Sequence, residues 1–256
     1  MFQTIKEIIV ASGSPRRQQF FSNLGISFEV LNVQKNELYQ AQEKAIPIQG
    51  ILGAYDKEER PHSGESPEVY AKRIAVKKGF EALCFLAMRQ GDKHFSFAFE
   101  KRDRLQELSF PTEKFFFTSS LQNKEKSIIV TADTVVCLEN EILGKPKSEQ
   151  DALLMLQKLR GKIHAVITAV SFMDCAANTC YVFSDKTDVT FMAWADDILL
   201  SYVKTGECLD KAGAYGISGT GSFLARSVQG NLDTVIGLPV AKCVEFLLWN
   251  KAIAVL

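Results

Sequence analysis

The sequence predicts a mixed α/β fold in which helices flank a sheet. The prediction rests on apolar runs of strand length, amphipathic segments bounded by helix-start and helix-stop residues, and the interleaving of the two along the chain. With 256 residues, 46% hydrophobic and 23% charged, the chain can bury a full core. No internal repeat is visible, and we read residues 1–256 as a single domain carrying insertions at about 40–65 and 88–126.

The first elements are a strand from Glu7 to Ala11, a helix from Pro15 to Leu24 and a strand across Ile26 to Val33. Ser14 suits the N-cap, Pro15 the first helical position and Gly25 the stop, so this helix is well specified. Residues 40–67 have loop composition, with Pro47, Gly50, Gly53, Pro61, Gly64 and Pro67. A helix then starts at Ser66-Pro67-Glu68, with Val69, Ile74, Phe80, Leu83 and Leu86 on one face and Lys72, Arg73, Lys77 and Lys78 among the rest. Between Arg89 and Lys126 a charged knot, Glu100 to Arg104, separates an alternating Phe95, Phe97, Phe99 run from Phe115-Phe116-Phe117. Two readings stay open there: an inserted hairpin packing on the body, or an exposed aromatic patch for a partner.

Regular patterning resumes with a strand over Ile128 to Val136 that crosses Asp133. Ser148 and Asp151 form a capping box for a helix from Glu149 to Leu159, ended by Gly161. Strands are expected near 163–173, 179–184 and 187–193, then a helix from Asp196 or Asp197 to Gly206. A glycine-rich stretch, Gly213 to Gly230, leads into a C-terminal amphipathic helix within Val235 to Leu256.

Thirty basic and thirty acidic residues cancel, so no global field draws the chain to nucleic acid or an anionic membrane, and any phosphate must be held locally. Six cysteines form no C-x-x-C pair and lie in apolar runs, as buried reduced thiols do, which points to a cytoplasmic setting. The N-terminal apolar run is too short for a signal peptide, and no stretch has the length and apolarity of a membrane span.

The chemistry concentrates at Ala11-Ser-Gly-Ser-Pro-Arg-Arg17. A helix N-terminus carries partial positive charge and disfavours cations, so two adjacent arginines there need a reason. Free N–H groups, two guanidinium forks and serine hydroxyls at one point suit phosphate; the plain alternative is a pair of solvated surface charges. Asp133, among apolar neighbours and flanked in sequence by Ala132 and Thr134, is costly unless paired or coordinated. Facing the arginines it would hold a divalent ion or activate water, and otherwise it merely caps a turn. Lys145, in Gly144-Lys-Pro146, presents an ammonium suited to phosphate, and the glycines from Gly213 to Gly221 offer backbone that could wrap a ligand. Dinucleotide-binding and Walker A loops, a zinc motif and a Ser-His-Asp arrangement are not found; His164 at a strand start reads as structural.

Together these motifs resemble the Maf family: residues 11–17, Ala-Asp-Thr-Val-Val at 132–136, Gly-Lys-Pro at 144–146, and Ala-Gly-Ala-Tyr-Gly-Ile-Ser-Gly at 212–219. His164–Thr168, Tyr202–Glu207 and Val235–Pro239 support it, and the resemblance spans roughly residues 5–38, 66–86 and 127–250. It implies an inosine-triphosphatase-like mixed sheet with two lobes and a central cleft. It also implies a metal-dependent nucleoside triphosphate pyrophosphatase that hydrolyses the α-β phosphate bond of a modified or pyrimidine nucleotide, using Mg²⁺ or Mn²⁺. By position, Asp133 would accept the proton of the attacking water and, with Glu37, hold the metal. Ser12, Ser14, Arg16, Arg17, Lys78 and Lys145 would meet the phosphates, with Thr134 and Ser218 bordering the base. Ser218 stands where members acting on dTTP and UTP carry Gln, which leaves one short hydroxyl at that base edge. A homodimer is a further family expectation. The competing function is a non-catalytic nucleotide sensor or partner-binding protein linked to septum formation.

Overall fold

The computed structural model describes residues 1–33, 60–89, 97–105, 108–119 and 126–256. In chain order the elements are β1 (Phe2–Thr4), β2 (Glu7–Val10), α1 (Pro15–Asn23), β3 (Glu29–Val30), α2 (Pro67–Arg89), β4 (Phe97–Leu105), β5 (Thr112–Ser119), β6 (Ser127–Leu138) and β7 (Glu141–Leu143). They continue with α3 (Glu149–Leu159), β8 (Ile163–Asp174), β9 (Thr179–Phe191), α4 (Asp196–Val203), β10 (Ala225–Gln229), α5 (Leu232–Ile236), α6 (Val240–Trp249) and β11 (Ile253–Val255), with 3-10 turns at Ala212–Ala214 and Thr220–Leu224.

The expected mixed sheet with flanking helices is present. Nine strands join in the order β3-β2-β6-β8-β9-β5-β4, with β7 on β6 and β10 on β9, while β1 and β11 form a separate antiparallel pair. Side-chain alternation assigns the two faces. One face, carrying Ile129, Val135, Cys137, Ile167, Ala169 and Met173, packs on α2 through Ile74, Ala75, Val76 and Phe80. The opposite face supports two separate clusters. In one, Val130, Ala132, Val170 and Phe172 meet α1 and α6 through Phe21 and Phe246. In the other, Val136, Leu138, Val166 and Phe191 meet α3 and α4 through Leu156 and Leu199. Thr134 on β6 and Thr168 on β8 are the polar steps between these clusters, so the two halves of that face are the lobes of the fold and the threonines mark its cleft.

Several expectations shift. The strand placed at 26–33 shortens to Glu29–Val30, which pairs in parallel with β2. The two strands expected at 179–184 and 187–193 are one, β9, because Asp185 and Lys186 stay paired with β8. The C-terminal helix is present as α6 but is shorter than the tail: Gly237 (φ +126) and Pro239 separate it from the short α5, and the last residues form β11. The aromatic segment is a hairpin, β4 with β5, and β5 joins the main sheet along β9. Phe110 and Phe117 are buried in separate clusters, Phe115 packs against that of Phe117, and Ser109 is tied to Glu245 of α6 at 2.7 and 2.6 Å. Phe95 lies outside the described residues. All six cysteines are buried free thiols, and burial pushes that of Cys180 up to about 12. Among the described residues no helix is long and apolar enough to cross a membrane.

Candidate active site

The cleft originates in an interruption of the sheet. Along one edge β6 pairs with β8 from Ile128 to Cys137. Along the other it meets β2 only over Ser127–Val130 and β7 only over Val136–Leu138, so among the described residues no strand covers 131–135 on that side. β2 runs parallel to β6, makes its last contact through Ala11 N–H to the Val130 carbonyl at 2.9 Å, and gives way to the Ser12–Ser14 loop and α1. Asp133 and Thr134 therefore sit at the carboxyl end of a parallel strand, where open α/β sheets place ligands.

Arg17, in the first turn of α1, reaches back into this gap. Its Nε donates to the Gly237 carbonyl at 2.8 Å, one terminal nitrogen to Ser12 Oγ at 3.3 Å and the other to Thr134 Oγ1 at 3.1 Å. Burial lowers its pKa, Asp133 opposes that shift, and Arg16 adds to it, but a guanidinium stays charged. The surface-charge alternative fails for Arg17, which is anchored at three points.

Asp133 projects toward α2, where Lys78 Nζ donates to its Oδ1 at 2.6 Å. Its second oxygen has no hydrogen-bond partner among the described residues. The pairing settles how the charge survives in an apolar strand: the carboxylate is held at a strand gap beside two cations. A magnesium-type ion takes one or two protein carboxylates and completes its shell with water and phosphate oxygens. The open oxygen of Asp133 is a donor of the right type for that arrangement. Glu37, the other acid expected at the metal, lies outside the described residues.

Arg16 is half-buried, and its Nε is a buried donor with no hydrogen-bond partner among the described residues. Its charge depresses the pKa of Arg17, and it helps Lys211 hold the Asp210 carboxyl low against the upward push of burial. Ser14 occupies the N-cap with extended backbone, but its hydroxyl makes no cap bond. Its N–H donates to Ser12 Oγ at 3.3 Å. Lys145 is exposed, on a turn fixed to the glycine-rich segment by Gly213 N–H to the Gly144 carbonyl at 3.0 Å. Ser218 is exposed on the same segment. The structure thus gathers Ser12, Ser14, Arg16, Arg17, Thr134, Asp133 and Lys78, and sets Lys145 and Ser218 on the neighbouring loops.

The glycine-rich segment differs from the wrapping backbone expected. Gly213 has φ +67 and faces Val136, whose Cγ1 would lie 2.8 Å from an added Cβ. At Gly219 a Cβ would collide with the Glu207 carboxylate, which accepts from the Thr220 N–H at 2.9 Å and from its hydroxyl. These glycines serve tight packing that holds the loop in one place. Behind it, buried His164 bonds Tyr215 through Nε2 at 2.8 Å, and burial pushes the His164 pKa down to about 4, as its structural assignment anticipates. Sequence reasoning missed Thr168, Gly237 and Glu207. Each lies in a segment whose resemblance was noticed, but a threonine in an apolar strand or a glycine before proline carries no local mark of its partner.

The family profile described as Maf-like protein matches residues 7–249. The dTTP/UTP pyrophosphatase of Nitratidesulfovibrio vulgaris is 35% identical, with the alignment covering 98% of this chain and 91% of that protein. The proteins of the same name from Desulfotalea psychrophila and Aquifex aeolicus are 31% and 32% identical, covering 100% of both chains in the first case and 94% and 93% in the second. A solved dITP/XTP pyrophosphatase from Mycobacterium abscessus superposes over 96% of this chain and 97% of its own at a TM-score of 0.33 and 13% identity, too slight a likeness to build on. With the family profile spanning nearly its whole length, the chain belongs to the Maf-like protein family.

Proposed function

We propose that this protein is a nucleoside triphosphate pyrophosphatase that hydrolyses the bond between the α- and β-phosphates of a pyrimidine nucleotide, releasing a nucleoside monophosphate and pyrophosphate. The observation that carries the reading is the meeting, at one gap in the sheet, of a triply anchored Arg17 with the Lys78–Asp133 pair. Substitution at phosphorus depends mainly on positioning and on neutralising the charge of the phosphates. Arg17 is held in place in advance, so little reorganisation accompanies anion binding. Arg16 brings an unmatched buried donor, α1 its free first-turn N–H groups and Lys145 an ammonium.

Asp133 acts as general base. Lys78 fixes one carboxylate oxygen, and the other accepts a proton from water as its oxygen bonds to phosphorus and the bridging P–O bond breaks, with the electron pair leaving on pyrophosphate. A magnesium or manganese ion held by Asp133 and the phosphates would neutralise charge on the leaving group. The pyrimidine choice is supported by relatives named dTTP/UTP pyrophosphatase at 31–35% identity over nearly the whole chain. Ser218, in place of the Gln expected in such members, makes base preference the quantity to measure. The test is a panel of standard and modified triphosphates with Mg²⁺, scored for pyrophosphate. Fastest turnover is expected with dTTP or UTP, and no pyrophosphate from any member would refute the function.

A further inference from the structure

Behind the gap a chain of hydroxyls leads away from Arg17, and its proton directions are determined. Thr168 Oγ1 donates to the Thr234 carbonyl at 2.7 Å; that acceptor has no proton to give, so the single hydroxyl proton of Thr168 is committed. Thr134 Oγ1 lies 2.9 Å from Thr168 Oγ1 and must therefore be the donor of that pair. Its proton spent, Thr134 offers Arg17 only lone pairs, and the Arg17 terminal nitrogen donates to it at 3.1 Å. Every bond points the same way, from guanidinium through two hydroxyls to a backbone carbonyl, an arrangement in which each link polarises the next. The chain ends on α5, and the Arg17 Nε bond ends on Gly237, immediately after α5. α5 is itself pinned to β9: Thr187 Oγ1 donates to the Asn231 carbonyl at 2.9 Å, and Thr234 Oγ1 donates to Asp185, whose carboxylate pairs with Lys242 at 2.6 Å.

We propose that Thr168, fully buried and touching no ligand itself, is a positioning residue: through Thr134 it fixes the orientation of the Arg17 guanidinium toward the phosphates. Without the Thr168 acceptor the Thr134 hydroxyl is free to turn its proton toward Arg17, which replaces an attraction by a clash of donors. The inference rests on the phosphate-binding role of Arg17 proposed above.

The test measures binding of inorganic tripolyphosphate and of thymidine monophosphate, by calorimetry, to the wild type and to Thr168→Val, Thr168→Cys and Thr168→Ser, with steady-state turnover of dTTP alongside. Valine keeps the shape and removes the relay, cysteine serves if valine does not fold, and serine restores the hydroxyl. Thr168→Val or Thr168→Cys should weaken tripolyphosphate binding roughly five- to tenfold, the worth of one ordinary hydrogen bond, and raise the KM more than they lower kcat. Monophosphate affinity should change far less, and serine should restore the triphosphate affinity. Equal weakening for both ligands would make Thr168 merely structural, and unchanged tripolyphosphate affinity, or none in the wild type, would overturn the proposal. A wild type that binds tripolyphosphate but releases no pyrophosphate refutes the function while leaving the positioning role to be decided by the binding comparison.

Discussion

Replacing Asp133 by asparagine removes one proton acceptor and one negative charge while keeping the size of the side chain. The Asn oxygen can still accept from Lys78 Nζ, now 2.6 Å from the carboxylate, but a charge-assisted bond becomes an ordinary one. Because both side chains are largely buried, 22% and 15% exposed, the exchange should cost about 1–2 kcal/mol of stability. Arg17 loses a nearby anion that opposes its desolvation, and Lys78 loses its ion pair with Asp133. A triphosphate then becomes their counter-ion, so nucleotide affinity should be retained or increased. Turnover loses its general base, a contribution of about 10²- to 10⁴-fold, or roughly 3–5.5 kcal/mol in the barrier. Pyrophosphate release by Asp133→Asn, measured with Mg²⁺ at saturating dTTP beside nucleotide binding by calorimetry, should fall by that factor with binding intact. Turnover within threefold of the wild type would remove Asp133 from the base role.

Arg17→Lys replaces a three-way fork by a single ammonium and forfeits about two of its three anchoring bonds, so tripolyphosphate affinity, read by calorimetry, should fall roughly ten- to hundredfold. Gly213→Ala meets both a positive φ and Val136 at 2.8 Å, and should lose about 1–3 kcal/mol in thermal or denaturant unfolding. Gly144→Ala, with nothing within 4 Å of the new methyl, should stay within about 0.5 kcal/mol in the same assay. His164 is 2% exposed and neutral in the fold, its pKa lowered from 6.5 to about 4 by burial. The unfolded chain therefore binds the extra proton first, so stability from this group is complete above pH 6.5 and is lost as pH falls toward 4, by about 3 kcal/mol in all. His164→Gln, which cannot titrate, should flatten the stability curve across that window; an unchanged slope in denaturant titrations would contradict the assignment.

The sequence made the parts of the site legible where chemistry and local structure conflict. Two arginines at a helix start and an aspartate inside an apolar strand each demand an explanation, and each explanation is local. What holds them was not legible, because it depends on where strands end. Among the described residues the gap at 131–135 arises because β2 stops at Val10 and β7 begins pairing at Val136, a registration set by tertiary packing. Thr168 reads as one more β-branched residue in a strand, and only the approach of α5 turns it into a link in a relay. The same limit produced the errors. The strand was divided at Asp185 and Lys186, and Lys242, which neutralises Asp185, is far away in sequence.

The proposed function has this gap cleave a nucleotide between its α- and β-phosphates. ³¹P NMR of dTTP or UTP incubated with the protein and Mg²⁺ observes both products at once. Equal amounts of nucleoside monophosphate and pyrophosphate are expected; nucleoside diphosphate with inorganic phosphate, or unaltered triphosphate, would refute cleavage at that bond.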